Sequence, residues 1–377
     1  MRLFFLTLFS FFIFATPAYA ASISWDGDTD TDWCTLTNWS SDQLPTSIDD
    51  VTIDATVSVT TSGCNNGDVD FSTLTLGGVN TATLTITPNI GTAGSITIAS
   101  NGTIVQDNKL QQSLSGTLLV ESGGVLTHTY NNITHDYNVN FEAQTITINS
   151  GGSVDVDKRG YAERQGPGKG GDATSSCFGG GGGHGGAGGD ATSCNAASTP
   201  GPAYCVSGTV NTIGSGGGRG GGGNPGSGGG LITLSALGTL TVSGTLTADG
   251  QNGENNWGGS GAGGGINLTA DTVAGPPQSI TLTGGRYAGN NSNGGGGGGC
   301  MLVTYTTSNT LTSENVNVAG GVQSGVKTGE NGFVDFVQAV VSSVPEMTPT
   351  YFFILLFISF SYMFYLTQKT HTSNHKT

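Results

Sequence analysis

Basic residues are scarce: 11 Lys and Arg stand against 26 Asp and Glu in 377 residues, a net charge of −15. All the acidic residues but only 8 of the basic ones fall between the two apolar ends, so the part between them carries about −18. That balance excludes nucleic acid and anionic membrane surfaces as partners and favours solubility or cation binding. Large aromatics are also short. Outside the two ends the only phenylalanines are Phe71, Phe141, Phe178, Phe333 and Phe336. A core must then be made from Val, Ile, Leu and Thr, which suits narrow stacked sheets. Helical periodicity is missing away from the ends. No Gly-x-Ser-x-Gly elbow and no His-Glu-x-x-His is present, and Gly168-Lys169-Gly170 lacks the hydroxyl residue of a phosphate loop. Gly259-Ser-Gly261-Ala-Gly-Gly264 matches a dinucleotide pattern only because glycine surrounds it.

Glycine is what the chain has in excess. Of 66 glycines, 48 lie between residues 160 and 299. Gly230, Gly265 and Gly299 each open an alternating apolar stretch, beginning at Leu231, Ile266 and Cys300. A related phrase, two apolar pairs around a Gly turn, occurs as Ile96–Val105, Leu119–Leu126, Ile146–Val156 and Leu240–Leu246. Alternation predicts strands, and recurrence every 20 to 35 residues predicts a parallel β-helix or solenoid, with antiparallel hairpins in a sandwich as the alternative. The fold expected is all-β with glycine-rich loops, plus an N-terminal signal peptide and one C-terminal transmembrane helix. Its parts are a signal peptide (1–20), an N-terminal cap (21–60), solenoid (61–159), a glycine-rich, cysteine-containing loop region (160–230), solenoid repeats (231–341) and a sorting segment (342–377).

The ends supply an address. Arg2, the apolar run Leu3 to Ala15 and Ala18-Tyr19-Ala20 make a secretory signal peptide. Residues 351–366 are apolar or hydroxyl-bearing; as a helix they span about 24 Å against a membrane core of about 30 Å. Lys369 and Lys376 follow, favouring a cytoplasmic C-terminus. Val344-Pro345-Glu346, the apolar stretch and the basic tail together resemble the PEP-CTERM sorting signals of bacterial exported proteins. That resemblance implies an exosortase-like processing enzyme, beside the export machinery, as a partner. Trp25, Trp33, Asn38-Trp39, Pro45 and Asp49-Asp-Val-Thr-Ile53 resemble the start of bacterial surface β-helix and autotransporter-like passenger regions. The glycine tract resembles glycine-rich repeats of large bacterial surface proteins and of some plant membrane proteins, scaffolds of unassigned activity.

Candidate chemistry is sparse. Asp26, Asp28, Asp30 and Asp32 alternate like oxygen ligands for calcium, the one cofactor considered; a solvated acidic loop is the other reading. Six cysteines (Cys34, Cys64, Cys177, Cys194, Cys205, Cys300) suit disulfides in an oxidising compartment, with Cys34 and Cys64 paired by neighbourhood. Zinc on Cys177, His184, Cys194 and Cys205 would need unusually long spacings. The tryptophans are read as a cap, with a carbohydrate platform as the alternative. His128 and His135-Asp136 are read as surface-facing strand residues. Asp155, Asp157, Lys158 and Arg159 form the one constellation like those of β-helix polysaccharide enzymes. The expectation is a non-catalytic structural or adhesive surface protein, anchored in the envelope and contacting extracellular polysaccharide or other surface proteins. A carbohydrate-binding or polysaccharide-cleaving β-helix is the alternative.

Overall fold

In a computed structural model, residues 20–173, 177–191, 198–254, 257–286, 292–322 and 328–340 are described. They are almost wholly β, with two short 3-10 turns, Leu36–Asn38 and Ser313–Asn315. The strands form two sheets, of 12 and 8 strands, and every strand pairing in both is parallel. Successive repeats place one strand in each sheet. Phe71–Leu76 of the larger sheet is followed by Ala82–Ile86 of the smaller, Ala93–Ile98 by Gly102–Gln106, Thr117–Val120 by Val125–His128 and Thr145–Ile148 by Ser153–Asp155. After residues 156–230 the alternation resumes with Leu231–Val242 and Thr245–Thr247. This arrangement is consistent with a β-helix or solenoid, each repeat being one rung.

The apolar phrases lie in register, one rung on the next. Ile98 pairs with Val120, Val120 with Ile148 and Ile148 with Val242 in the larger sheet. Ile104, Leu126, Val154, Leu246, Ile280 and Val316 do the same in the smaller. These residues are buried in one continuous core. Register follows from the period of two: a slip by one residue would turn each row to solvent.

Trp33 and Trp39 are fully buried, with ring centroids 4.6 Å apart at 72°, and Phe71 packs 6.3 Å from Trp33. Trp25 is 7% exposed and meets Trp39 edge-on at 5.0 Å. With their faces covered, the rings fill the first rungs and offer no platform to a sugar.

The glycine tract is built differently. Along 259–264 successive backbone N–H groups donate to three neighbours in rotation. Gly259 and Ala262 donate to Gly218 and Ser215, Ser260 and Gly263 to Gly294 and Gly297, and Gly261 and Gly264 to Gln251 and Ala248, all at 2.7–3.0 Å. Residues 179–183 rotate likewise: Gly179 and Gly182 donate to Trp257 and Ser260, Gly180 and Gly183 to Gly171 and Gly168. A strand alternates with period two; a rotation of three belongs to the extended three-residue helix with no internal hydrogen bonds. Residues 179–183, expected in a loop region, and 259–264, expected within the solenoid repeats, are thus packed extended helices joined through their backbones. A Cβ built on Gly259 would fall on the Gly180 carbonyl oxygen, and one on Gly217 on that of Gly259, both inside the 3.0 Å that real Cβ atoms keep.

These elements belong to one compact unit ending at Gln338. No helix among the described residues is long and apolar enough to cross a membrane. The signal peptide up to Tyr19, the Val344-Pro345-Glu346 motif and the apolar stretch 351–366 lie outside the described residues.

Candidate functional site

A cluster of polar groups lies where the smaller sheet meets the glycine segments. Aligned repeats place Asp155 level with Thr247, Thr281 and Asn317, and Asp157 two residues further along its rung. Asp249, from the next rung, donates its amide to Asp157 Oδ1 at 2.6 Å. Asp249 Oδ1 in turn accepts the Thr283 amide at 2.5 Å, and its Oδ2 accepts the Thr281 hydroxyl at 3.0 Å. Asp155 Oδ1 accepts from the Asp157 amide at 2.9 Å and the Thr247 hydroxyl at 3.2 Å. Each carboxylate therefore holds backbone or hydroxyl of its own or the next rung. Beside them opens a cleft of about 950 Å³, lined in part by Asp157, Lys158, Asp249, Gln251, Asn252 and Arg286.

Burial pushes the Asp157 carboxyl up to about 6; the charges of Asp249 and Asp155 add to this, against the pull of the Asp249 backbone hydrogen bond. Of the four residues singled out in the sequence, Asp157 and Lys158 line the cleft. Arg159 turns away: its Nη1 donates to the His128 carbonyl at 2.6 Å and its guanidinium covers the Tyr130 ring at 4.3 Å. Asp249, Gln251, Asn252 and Arg286 were missed. The signal for Asp249 was present, since Ser153-Val-Asp-Val-Asp157 and Thr245-Leu-Thr-Ala-Asp249 are equivalent copies, but 92 residues separate the two carboxylates.

The aspartate run does not gather around one point. Asp30 Oδ1 accepts the Asp32 amide and the Asn38 side-chain amide, at 2.8 and 2.7 Å. The Asp32 backbone hydrogen bond is the main reason the Asp30 carboxyl sits below its ordinary value. Asp32 accepts the amides of Cys34 and Gly63. Among the described residues no three of Asp26, Asp28, Asp30 and Asp32 bring ligand atoms within 4.8 Å of one another.

Cys34 and Cys64 form a disulfide, and Cys205 and Cys300 another. Cys177 is also disulfide-bonded, and Cys194 lies outside the described residues. The set considered for zinc is thereby committed elsewhere at Cys177 and Cys205. His184 lies against the Cys205–Cys300 bridge, with Cys300 Sγ 3.8 and 3.9 Å from its two nitrogens. Both nitrogens are engaged: Nδ1–H donates to the Gly264 carbonyl at 3.1 Å and Nε2 accepts from the Thr212 hydroxyl at 2.9 Å. Tyr204 packs 5.0 Å away, its hydroxyl donating to the Ile213 carbonyl and accepting from Ser215. Burial lowers the His184 pKa to about 4. This imidazole is a satisfied structural group.

His128, expected on the surface, is fully buried; its Nδ1–H donates to the Thr129 carbonyl at 2.7 Å and its Nε2 has no partner among the described residues. A Cβ on Gly230 would strike that Nε2. His135 is half-buried and Asp136 exposed, with the Asp136 carboxylate accepting from Thr134.

Comparisons with family models, with curated proteins and with solved structures find no match.

Proposed function

We propose that this protein is an exported structural or adhesive scaffold of the cell envelope, tethered through its C-terminal apolar segment. The carrying observation is how its reactive groups are used. Asp30, Asp32, Asp155, Asp157 and Asp249 accept backbone amides or neighbouring hydroxyls, and His184 is satisfied on both nitrogens. General acid–base catalysis needs a group free to exchange a proton with substrate. The signal peptide and the sorting segment support export and anchoring, with export machinery and an exosortase-like enzyme as partners. Membrane fractionation of cells producing the full chain tests this: envelope association is expected, and a wholly soluble intracellular chain sinks the localisation.

One observation favours a second reading. The Asp157 carboxyl, raised to about 6 at the edge of a polar cleft with Lys158 and Arg286, suits binding or cleavage of a polysaccharide. Depolymerisation assays on a glycan panel separate the two. A scaffold leaves the glycans intact, whereas cleavage abolished by Asp157→Asn makes the protein an enzyme.

A further inference from the structure

The outer face of the larger sheet carries two straight ranks of side chains, one residue per strand, all small hydroxyl residues except Leu119 and Ala274. The first runs Thr145, Thr239, Thr272, Ser308, preceded by Thr73, Ser95 and Thr117 on the earlier strands. The second runs Thr52, Thr75, Thr97, Leu119, Thr147, Thr241, Ala274. Leu74, Ile96, Leu118, Ile146, Leu240 and Val273, between the ranks, point into the core. Pairing geometry sets the repeats at about 4.8 Å from strand to strand and about 6.6 Å between ranks.

Three properties separate this face from an ordinary solvated sheet. The ranks hold no charged or aromatic residue from Thr73 onward, in a chain that carries 26 carboxylates. The register is one-to-one across both ranks, its irregularities in the larger sheet falling before Thr239 and Thr272. The second rank is unpartnered: the hydroxyls of Thr52, Thr75, Thr97, Thr147 and Thr241 make no hydrogen bond among the described residues, although neighbours in the first rank do, as Thr117 with Thr145 at 2.9 Å. The smaller sheet provides an internal contrast. Its equivalent ranks contain a carboxylate, Asp155, and its Thr127 and Thr247 hydroxyls donate to the Asp155 carbonyl and carboxylate.

We infer that the larger sheet's threonine face binds a crystalline water lattice, the surface of ice. An unpaired hydroxyl beside a methyl, repeated on a two-dimensional grid, fixes water at grid points close to the oxygen repeats of ice faces. Ranks without charge from Thr73 onward match an uncharged solid, and avoid the strongly held, disordered hydration of carboxylates. A polysaccharide surface is the less fitting partner, since sugar rings are held by aromatic stacking and these ranks offer none.

The test uses the full-length chain against a detergent-only control, with ice-crystal shaping and suppression of recrystallisation as readouts. Thr147→Tyr and Thr97→Tyr place bulk at the centre of the second rank. Thr103→Tyr places it on the smaller sheet, and circular dichroism checks each variant's strand content. Crystal shaping is expected from the native chain and from Thr103→Tyr, and its loss from the two rank variants. Absence of shaping by the native chain overturns the inference, as does equal loss in all three variants. Retention on crystalline cellulose or chitin that Thr147→Tyr removes, without any effect on ice, would replace water by a glycan surface.

Discussion

A buried imidazole that stays neutral makes a protein sensitive to acid. Burial lowers the pKa of His128 to about 3 and of His184 to about 4, against 6.5 for the free side chain. Below pH 6.5 the unfolded chain takes up protons that the folded chain refuses. The stability is therefore present above pH 6.5 and is lost as pH falls towards 4. Each histidine contributes a slope of about 1.4 kcal/mol per pH unit within that window. Urea midpoints at pH 7 and pH 5 should fall together with pH; an unchanged midpoint would show that water reaches these rings. Asp157 acts with the opposite sign. Its folded pKa, raised to about 6 above the ordinary 3.8, means that ionisation on raising the pH opposes folding. Asp157→Asn keeps an oxygen for the Asp249 amide and removes the charge. It should raise the unfolding free energy at pH 7 by about 1 kcal/mol, read as a higher urea midpoint, and a lower midpoint would point instead to a bound cation.

Rungs and glycine helices were unequally legible. A rung announces itself because every second residue is apolar, so Ile96–Ile98, Ile146–Ile148 and Leu240–Val242 could be matched before they were seen stacked. The glycine helices leave no comparable mark. Their period of three is carried by backbone groups that all residues share, and glycine has no side chain to display a face. Only the buried exceptions hint at order: Ser215, Ser260 and His184 each direct a side chain to a specific partner. The cleft was half legible for a related reason, Asp249 being brought to Asp157 by rung stacking and not by sequence proximity. Packing by backbone contact makes a sharp prediction. Gly259→Ala should cost several kcal/mol or prevent folding, because its Cβ overlaps the Gly180 carbonyl. Gly222→Ala, with nothing within 4 Å of its Cβ, should be tolerated. Thermal melts of the two variants check this, and equal melting temperatures would mean the helices are not closely packed.

On the scale of the molecule, the Cys34–Cys64 and Cys205–Cys300 disulfides enclose very different lengths. Cys34–Cys64 spans 30 residues beside the tryptophans, and Cys205–Cys300 spans 95, fastening the segment after the first glycine helices to Cys300–Asn309, the last strand but one of the larger sheet's path. Restricting the unfolded chain predicts about 3–5 kcal/mol for each, the larger share from the longer loop. Cys205→Ser/Cys300→Ser should accordingly lower the unfolding midpoint more than Cys34→Ser/Cys64→Ser, as urea titration under non-reducing conditions would read. The reverse order would place the greater constraint at the tryptophan end.

The strand order has a mechanical consequence. Ser22–Ser24 and Phe333–Gln338 lie at opposite ends of the larger sheet's path, so tension between them runs along the hydrogen bonds and not along the strands. Such a load opens one ladder after another, from the ends inward, at low force. The stretch between Cys205 and Cys300, a sequence separation of 95, is exempt, because the bridge carries the tension past it. Roughly 300 Å of chain is held in reserve there, to be released only when that bond is reduced.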